Sequence, residues 1–361
     1  MEGSRSRRSV TRHAILKKIR EFTKSIIQDL SNGRSPLVIL DRHHNYCTNN
    51  TGNCSDLHKS KQILVSFQRD CYARRTDVML RVLLIVQKLL QENKHGSKRD
   101  IYYMHPSVFS EQAVVDRAIN DICVLLKCSR HNLNVVSVGK GLVMGWLRFS
   151  ESERKFDCLK RPSTAHPIPV HVEDIKDIVS VAHYILVVEK EAVFQRLAND
   201  NFCDKHRCIV ITGRGYPDVS TRRFLRLLIE ELALPAYCLV DCDPYGFDIL
   251  AIYRFGSMEM GYDAKLLSVP EIRWLGAFPS DSDKYLLPEQ CLLPLTAEDK
   301  RKAEAILLRC YLQQEVPQWR LELEAMLQRG VKFEIEALSV SSLSFLSDEY
   351  IPSKIESGMH I

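Results

Sequence analysis

Between residues 184 and 240 short apolar β-type runs alternate with amphipathic helical stretches, and this alternation limits the possible folds more than any other feature of the chain. Tyr184 to Val188, Cys208 to Thr212 and Tyr237 to Val240 read as strands. A helical stretch follows the first, Gly213 and Gly215 mark the exit from the second, and Arg222 to Leu232 carries apolar residues at helical spacing. Strand, helix, strand, helix predicts a parallel sheet with helices on both faces. In such a sheet, functional groups gather where strands end and loops leave for the next helix.

The chain before that sheet has a different grammar. Ile15 to Leu30 has helical periodicity and is stopped by Asn32-Gly33 and Ser35-Pro36, which predicts a helical N-terminal arm. Residues 41–62 lose all periodicity and collect Asn, Thr, Gly, Ser and His, as a loop or disordered insertion would. Asp77 to Glu92 and Gln112 to Lys127 return to helical spacing. Asn134 to Phe149 is rich in β-formers around Gly139-Lys140-Gly141, a hairpin signal with Lys140 at its tip. Helices followed by a β-hairpin is the order of a winged helix, which lays a helix in a DNA groove and the hairpin along the backbone. The charged, proline-bearing stretch 151–170 reads as a linker. The expected division is therefore 1–69 arm and insertion, 70–160 winged-helix domain, and 170–361 α/β domain.

Charge follows the same division. Residues 1–165 hold 29 Lys and Arg against 15 Asp and Glu, and the remainder holds 21 against 30. A basic front suits a polyanion, since neutralised phosphates release counterions, and an acidic back suits divalent cations. Two differently charged solvated surfaces would give the same count. Twelve cysteines without a signal peptide read as reduced thiols. His43, His44, Cys47 and Cys54 cluster at a spacing that matches no zinc pattern. The most apolar stretch, Val78 to Leu90, is broken by Arg81, Gln87 and Lys88 and is shorter than the roughly 20 residues of a membrane span, so no membrane role is expected.

Three carboxylates sit where the sheet directs attention. Glu189 follows Ile185-Leu186-Val187-Val188, while Asp241 and Asp243 follow Leu239-Val240. An i, i+2 pair in extended chain puts both carboxylates on one side, with Cys242 facing away. Three hard oxygen donors at one crevice suit Mg²⁺, which takes few protein carboxylates and keeps waters. Acidic residues at these positions also serve as helix caps. In the basic front half, Tyr103 ends the run Lys98-Arg99-Asp100-Ile101-Tyr102-Tyr103. Adjacent tyrosines usually pack, but a tyrosine can attack phosphorus if its pKa, ordinarily about 10, is offset by a base or a nearby cation. Arg99, four residues earlier, would share a helical face with Tyr103 and supply that charge.

These segments resemble one family. Ser97-Lys98-Arg99-Asp100-Ile101-Tyr102-Tyr103, Val115-Asp116-Arg117-Ala118, Val187-Val188-Glu189-Lys190, Gly213-Arg214-Gly215-Tyr216-Pro217-Asp218 and Val240-Asp241-Cys242-Asp243-Pro244-Tyr245-Gly246 are similar, in order, to blocks of the meiotic DNA double-strand-break transesterases. Those enzymes are relatives of the A subunit of topoisomerase VI, and the intervening wording is most similar to the plant branch and the first of its meiotic paralogues. The resemblance runs from about residue 70 to the end.

The resemblance implies a winged-helix domain bearing the nucleophile, followed by a Toprim domain that binds Mg²⁺. By motif, Tyr103 matches the attacking tyrosine and Arg99 the arginine beside it. Glu189, Asp241 and Asp243 match the metal ligands, and Lys140, Arg214 and Tyr216 fall in DNA-contacting segments. It implies a double-stranded DNA substrate, a homodimer in which one protomer's tyrosine meets the other's metal, a topoisomerase VI B-like subunit, further meiotic break-forming partners and a nuclear address. Two other readings stay open at this point. One is a type IIB topoisomerase A subunit that reseals its break with an ATPase partner. The other is a non-catalytic DNA-binding dimer scaffold.

Overall fold

The computed structural model describes residues 3–41, 62–66, 70–136, 138–152, 154–257 and 267–361. The insertion expected at 41–62, with its His and Cys cluster, therefore lies almost entirely outside the described residues. The chain divides into two compact units, with the boundary between Val138 and Gly139.

The first unit is mainly helical. Helix α1 (Gly3–Ser31) places Ile15 and Ile19 inward, and strands β1 (Leu37–Asp41) and β2 (Gln62–Ser66) pair antiparallel. Helix α2 (Asp70–Glu92) buries Val78, Val82, Val86 and Leu90, one residue per turn, against Val115, Ile119, Ile122 and Leu126 of α5 (Gln112–Leu126). Periodicity alone starts α2 seven residues late. Its first turns are polar, and Arg75 turns its charge to the fully buried Asp121, with Nε and Nη2 donating at 2.8 and 2.9 Å. A two-stranded parallel pair, β3 (Gly96–Ser97) with β4 (Val135–Val136), fixes the start of α3 (Lys98–Met104). The short helix α4 (Pro106–Phe109) adds Phe109 to the same core.

The second unit holds a six-stranded sheet and a three-stranded one. After β5 (Leu142–Gly145), strands β6 (Leu147–Glu151), β7 (Arg154–Asp157) and β9 (Ile175–Ser180) form the smaller sheet, in the order β7-β6-β9. The larger sheet runs β13 (Arg273–Gly276), β12 (Ala236–Leu239), β10 (Ile185–Val188), β11 (Ile209–Thr212), β5, β8 (His166–Pro167). Four consecutive members, β13 at one edge and then β12, β10 and β11, are parallel, as the alternating pattern predicts. Every residue of β10, β11 and β12 is buried, the expected state of parallel strands covered on both faces. The covering helices include α6 (Glu191–Asn199), α8 (Val219–Leu232) and α9 (Pro244–Phe255), with α7 (Phe202–His206) between α6 and β11.

Two expectations are corrected here. The hairpin over 134–149 does not form: β4 pairs with β3, and β5 joins the large sheet antiparallel to β11. Gly139-Lys140-Gly141 imitates turn chemistry, but Gly141 is small for another reason. A Cβ there would lie 2.1 Å from the Thr221 hydroxyl of α8, so this glycine allows a helix to approach. Nor is 151–170 a free linker, since β7 pairs with β6 and β8 with β5.

One buried ion pair holds the end of this unit. Lys354, almost fully enclosed, donates to Asp281 Oδ2 at 2.8 Å and sits 4.0 Å from the centre of the Phe278 ring, while the Tyr350 hydroxyl donates to the same oxygen at 2.6 Å. Removing one partner strands a buried charge, which costs about 3–5 kcal/mol. Asp281→Ala is accordingly expected to lower the melting temperature by roughly 10 °C, and Asp281→Ala with Lys354→Met to recover much of the loss. Calorimetric melting checks this, and a single variant melting within a degree of the parent would refute the account.

Candidate active site

Helix α3 begins with a capping box: Ser97 Oγ accepts from the Asp100 amide at 3.1 Å and Asp100 Oδ2 accepts from the Ser97 amide at 2.7 Å. That cap sets the phase of one short helix, and the phase separates the two tyrosines. Ile101 is buried, and Tyr102 packs partly into the core with its hydroxyl donating to Ser110 O at 3.4 Å. Tyr103 is 62% exposed and meets the Tyr102 ring edge-on at 5.1 Å. Among the described residues its hydroxyl has no hydrogen-bond partner. Arg99 is also exposed, one turn earlier on the same helix, and Lys98 is paired with Asp116 at 3.1 Å. A phenol held on a rigid helix with its oxygen open to solvent is available to a ligand; one tied into the core, like Tyr102, is not.

In the second unit the strand ends bring the acidic residues together. Glu189 leaves β10 and its Oε2 accepts from the Asp241 amide at 2.9 Å, joining the ends of β10 and β12. Asp241 Oδ1 accepts from the Ile335 amide at 2.9 Å. Asp243 caps α9, accepting from the Gly246 amide at 2.6 Å, so at this position the capping role is real. Cys242 points the other way and is buried, its backbone bridged to Phe333. Gly246 is compulsory: a Cβ would lie 2.5 Å from Asp241 O and 3.0 Å from Glu189 Oε2.

The electrostatics of this cleft are unbalanced. Glu189 is pushed up to about 8 by burial and by the neighbouring Asp241. Burial likewise lifts Asp241, to about 6, against the pull of the Ile335 amide and Lys190, and burial raises Asp243. The one ammonium in contact, among the described residues, belongs to Lys190, whose Nζ lies 3.0 Å from each of Asp241 Oδ2, Glu334 Oε2 and Glu336 Oε2. Sequence reasoning missed the roles of Glu334, Glu336 and Lys190. The two glutamates are more than ninety residues from Asp241, and the bridge of Phe333 to Cys242 with the Ile335 amide bond to Asp241 delivers them. Among the described residues, no three His, Cys, Asp or Glu side chains form a ready-made ion cage. The oxygens are turned instead to amides and to Lys190. The donor set still fits a hard divalent cation, because it is all oxygen, largely buried and short of positive charge.

Arg214 and Tyr216 share one loop beside this cleft, and Lys140 reaches it from the segment before β5. Gly215 N and Thr212 Oγ1 both donate to Glu189 O, at 2.9 and 3.2 Å. Lys140 Nζ donates to Arg214 O at 3.0 Å, and Arg214 Nη2 to Glu191 at 2.7 Å. Lys140 is thus no hairpin tip but a brace on the Arg214 segment. Tyr216 is 40% exposed, and its hydroxyl donates at 2.9 Å to buried Asp248, which also accepts from Lys302 and Arg309 at 2.6 Å. Burial alone would raise the Asp248 carboxyl, but Lys302 and Arg309 outweigh it and hold it low.

Residues 74–135 match the family model for type IIB DNA topoisomerase, and residues 184–355 match the Toprim-domain model of the topoisomerase 6 A-subunit/Spo11 proteins. The chain is 66% identical to the meiotic recombination protein SPO11-1 of Arabidopsis thaliana over 344 residues, 94% of this chain and 95% of that one. It is 63% identical to SPO11-1 of Oryza sativa subsp. indica over 354 residues, covering 96% and 93%. To the A subunit of DNA topoisomerase 6 from Arabidopsis thaliana it is 40% identical over 298 residues, covering 82% and 70%. With two family models spanning more than half of its length and relatives matched almost end to end, the chain belongs to the topoisomerase 6 A-subunit/Spo11 family.

Proposed function

We propose that this chain is the DNA-cleaving subunit that makes meiotic double-strand breaks, with Tyr103 as nucleophile. The observation that carries the reading is the contrast between the exposed Tyr103 hydroxyl and the core-packed Tyr102 on one capped helix. In this reading the helical part of the first unit from about residue 70 is the DNA-binding domain that carries the nucleophile, and the sheet of the second unit belongs to the Toprim domain. Glu189, Asp241 and Asp243 would hold Mg²⁺, which when bound supplies positive charge beside the scissile phosphate. Lys140, Arg214 and Tyr216 line the DNA path.

The chemistry is an in-line displacement. The Tyr103 oxygen forms a bond to phosphorus, the bond to the deoxyribose 3′-oxygen breaks, the phenolic proton is lost, and that 3′-oxygen leaves as a hydroxyl. A 5′-phosphotyrosyl bond remains, so the phosphodiester energy is kept and no nucleotide is consumed. Arg99, on the Tyr103 face of α3, stabilises charge on the phenolate or on the phosphorane oxygens. Each copy brings one such tyrosine, so cutting both strands of a duplex takes two copies. A B-like subunit, other break-forming proteins and a nuclear address follow from the same reading.

The test is to isolate protein–DNA adducts from the full-length protein with its partners and to identify the linked peptide by mass spectrometry. The expected attachment is within residues 99–117, at Tyr103; attachment elsewhere, or no adduct, overturns the proposal. The 40% identity to a topoisomerase 6 A subunit keeps a second reading in view, a protein that reseals its break. ATP-dependent relaxation of supercoiled DNA with a B subunit would favour that one.

A further inference from the structure

We propose that the Lys190 ammonium is the resident counter-cation of the acidic cleft, and that a divalent ion reaches Asp241 only by displacing it onto Glu334 and Glu336. This rests on Glu189, Asp241 and Asp243 being the metal carboxylates. Both oxygens of Asp241 are already taken, Oδ1 by the Ile335 amide and Oδ2 by Lys190 Nζ at 3.0 Å. A hard ion bound to the same Oδ2 at about 2.1 Å could lie no farther than the sum of those lengths, about 5 Å, from the ammonium as it now stands. Two cations at that separation in a largely buried place repel strongly.

The structure also provides somewhere for the ammonium to go. Glu334 and Glu336 each lie 3.0 Å from Nζ, with side chains 64% and 42% exposed, whereas the Asp241 side chain is 9% exposed. The lysine side chain is itself 24% exposed. A rotation of its outer methylenes would release Asp241 and keep the charge on the two solvated glutamates. Lys190 thus satisfies the carboxylate in the absence of a divalent ion and makes entry of that ion a competition rather than a simple addition. The chain position matters too: Lys190 directly follows Glu189 and is the N-cap residue of α6, where its side chain makes no capping hydrogen bond, so moving the ammonium costs the helix no cap.

The experiment is calorimetric titration of the full-length protein with Mn²⁺, comparing the parent with Lys190→Met and with Lys190→Gln, which keeps a hydrogen-bond donor without the charge. Both variants are expected to bind Mn²⁺ roughly tenfold more tightly, a difference of about 1.4 kcal/mol, and to melt at lower temperature than the parent in chelator. Lys190→Arg, which retains the charge, is expected to show no gain. Should one neutral variant not fold, the other decides. Equal or weaker Mn²⁺ binding in a neutral variant overturns the proposal and makes Lys190 a structural support for Asp241. A separate control isolates the underlying assignment: if Glu189→Gln leaves Mn²⁺ binding unchanged, the metal site itself is refuted, whatever Lys190 does.

Discussion

Tyr103→Phe is expected to abolish covalent DNA attachment, by roughly 10⁴-fold or more, the scale on which loss of a covalent nucleophile registers, while leaving folding and DNA binding close to the parent. The ring stays, so the edge-on contact with Tyr102 stays, and no hydrogen bond within the described residues is lost with the oxygen. Tyr102→Phe is the matched control. It removes only a long 3.4 Å bond to Ser110 O, worth at most about 1 kcal/mol, and should leave adduct formation within a few-fold of the parent. Counting adducts by labelled-DNA retention after denaturation separates the two variants. Equal loss in both would mean that the exposed hydroxyl is not the attacking group, and persistence of adducts in Tyr103→Phe would end the assignment outright.

Glu189→Gln is expected to raise stability and remove cleavage together. In the metal-free protein the Glu189 carboxyl has its pKa raised from 4.5 to about 8, so burying it ionised is costly. The sign follows from linkage: stability from its protonated form is fully present below about 4.5 and is lost as pH rises through about 8. Each unit of elevation corresponds to about 1.4 kcal/mol, which makes the span at pH 7 to 8 about 3–4 kcal/mol, or on the order of 5–10 °C. Glutamine keeps an oxygen for the Asp241 amide and never ionises. In chelator at pH 8 the variant should melt higher than the parent, with a flatter profile between pH 4.5 and 8. With a divalent cation the order should reverse, because only the parent gains from binding. A parent more stable than the variant in chelator would contradict this electrostatic picture.

The sheet and its acidic rim were legible because their signals are local. The runs Ile185 to Val188 and Ile209 to Thr212 are apolar throughout, which a strand covered on both faces must be, and the carboxylates stand directly at the exits of β10 and β12. The same holds for the helical face shared by Arg99 and Tyr103. What failed were features decided at a distance. Gly141 looks like a turn residue until Thr221, eighty positions later, is seen to need the space. The first turns of α2 lack an apolar repeat in part because Arg75 answers to Asp121 rather than to a hydrophobic face. Glu334 and Glu336 carry no local mark at all; they matter because the bridge at Cys242 and the Ile335 amide on Asp241 bring them beside Lys190.

The antiparallel insertion of β5 beside β11 dictates how the second unit can be isolated. A fragment begun after the proline-rich stretch near residue 165 would omit β5 and with it the neighbour that β8 needs. β11 would then present an unpaired ladder of amides and carbonyls to other molecules, a template for self-association. Soluble recombinant material should therefore start at about Gly139, although pattern reading alone would place the cut some thirty residues downstream.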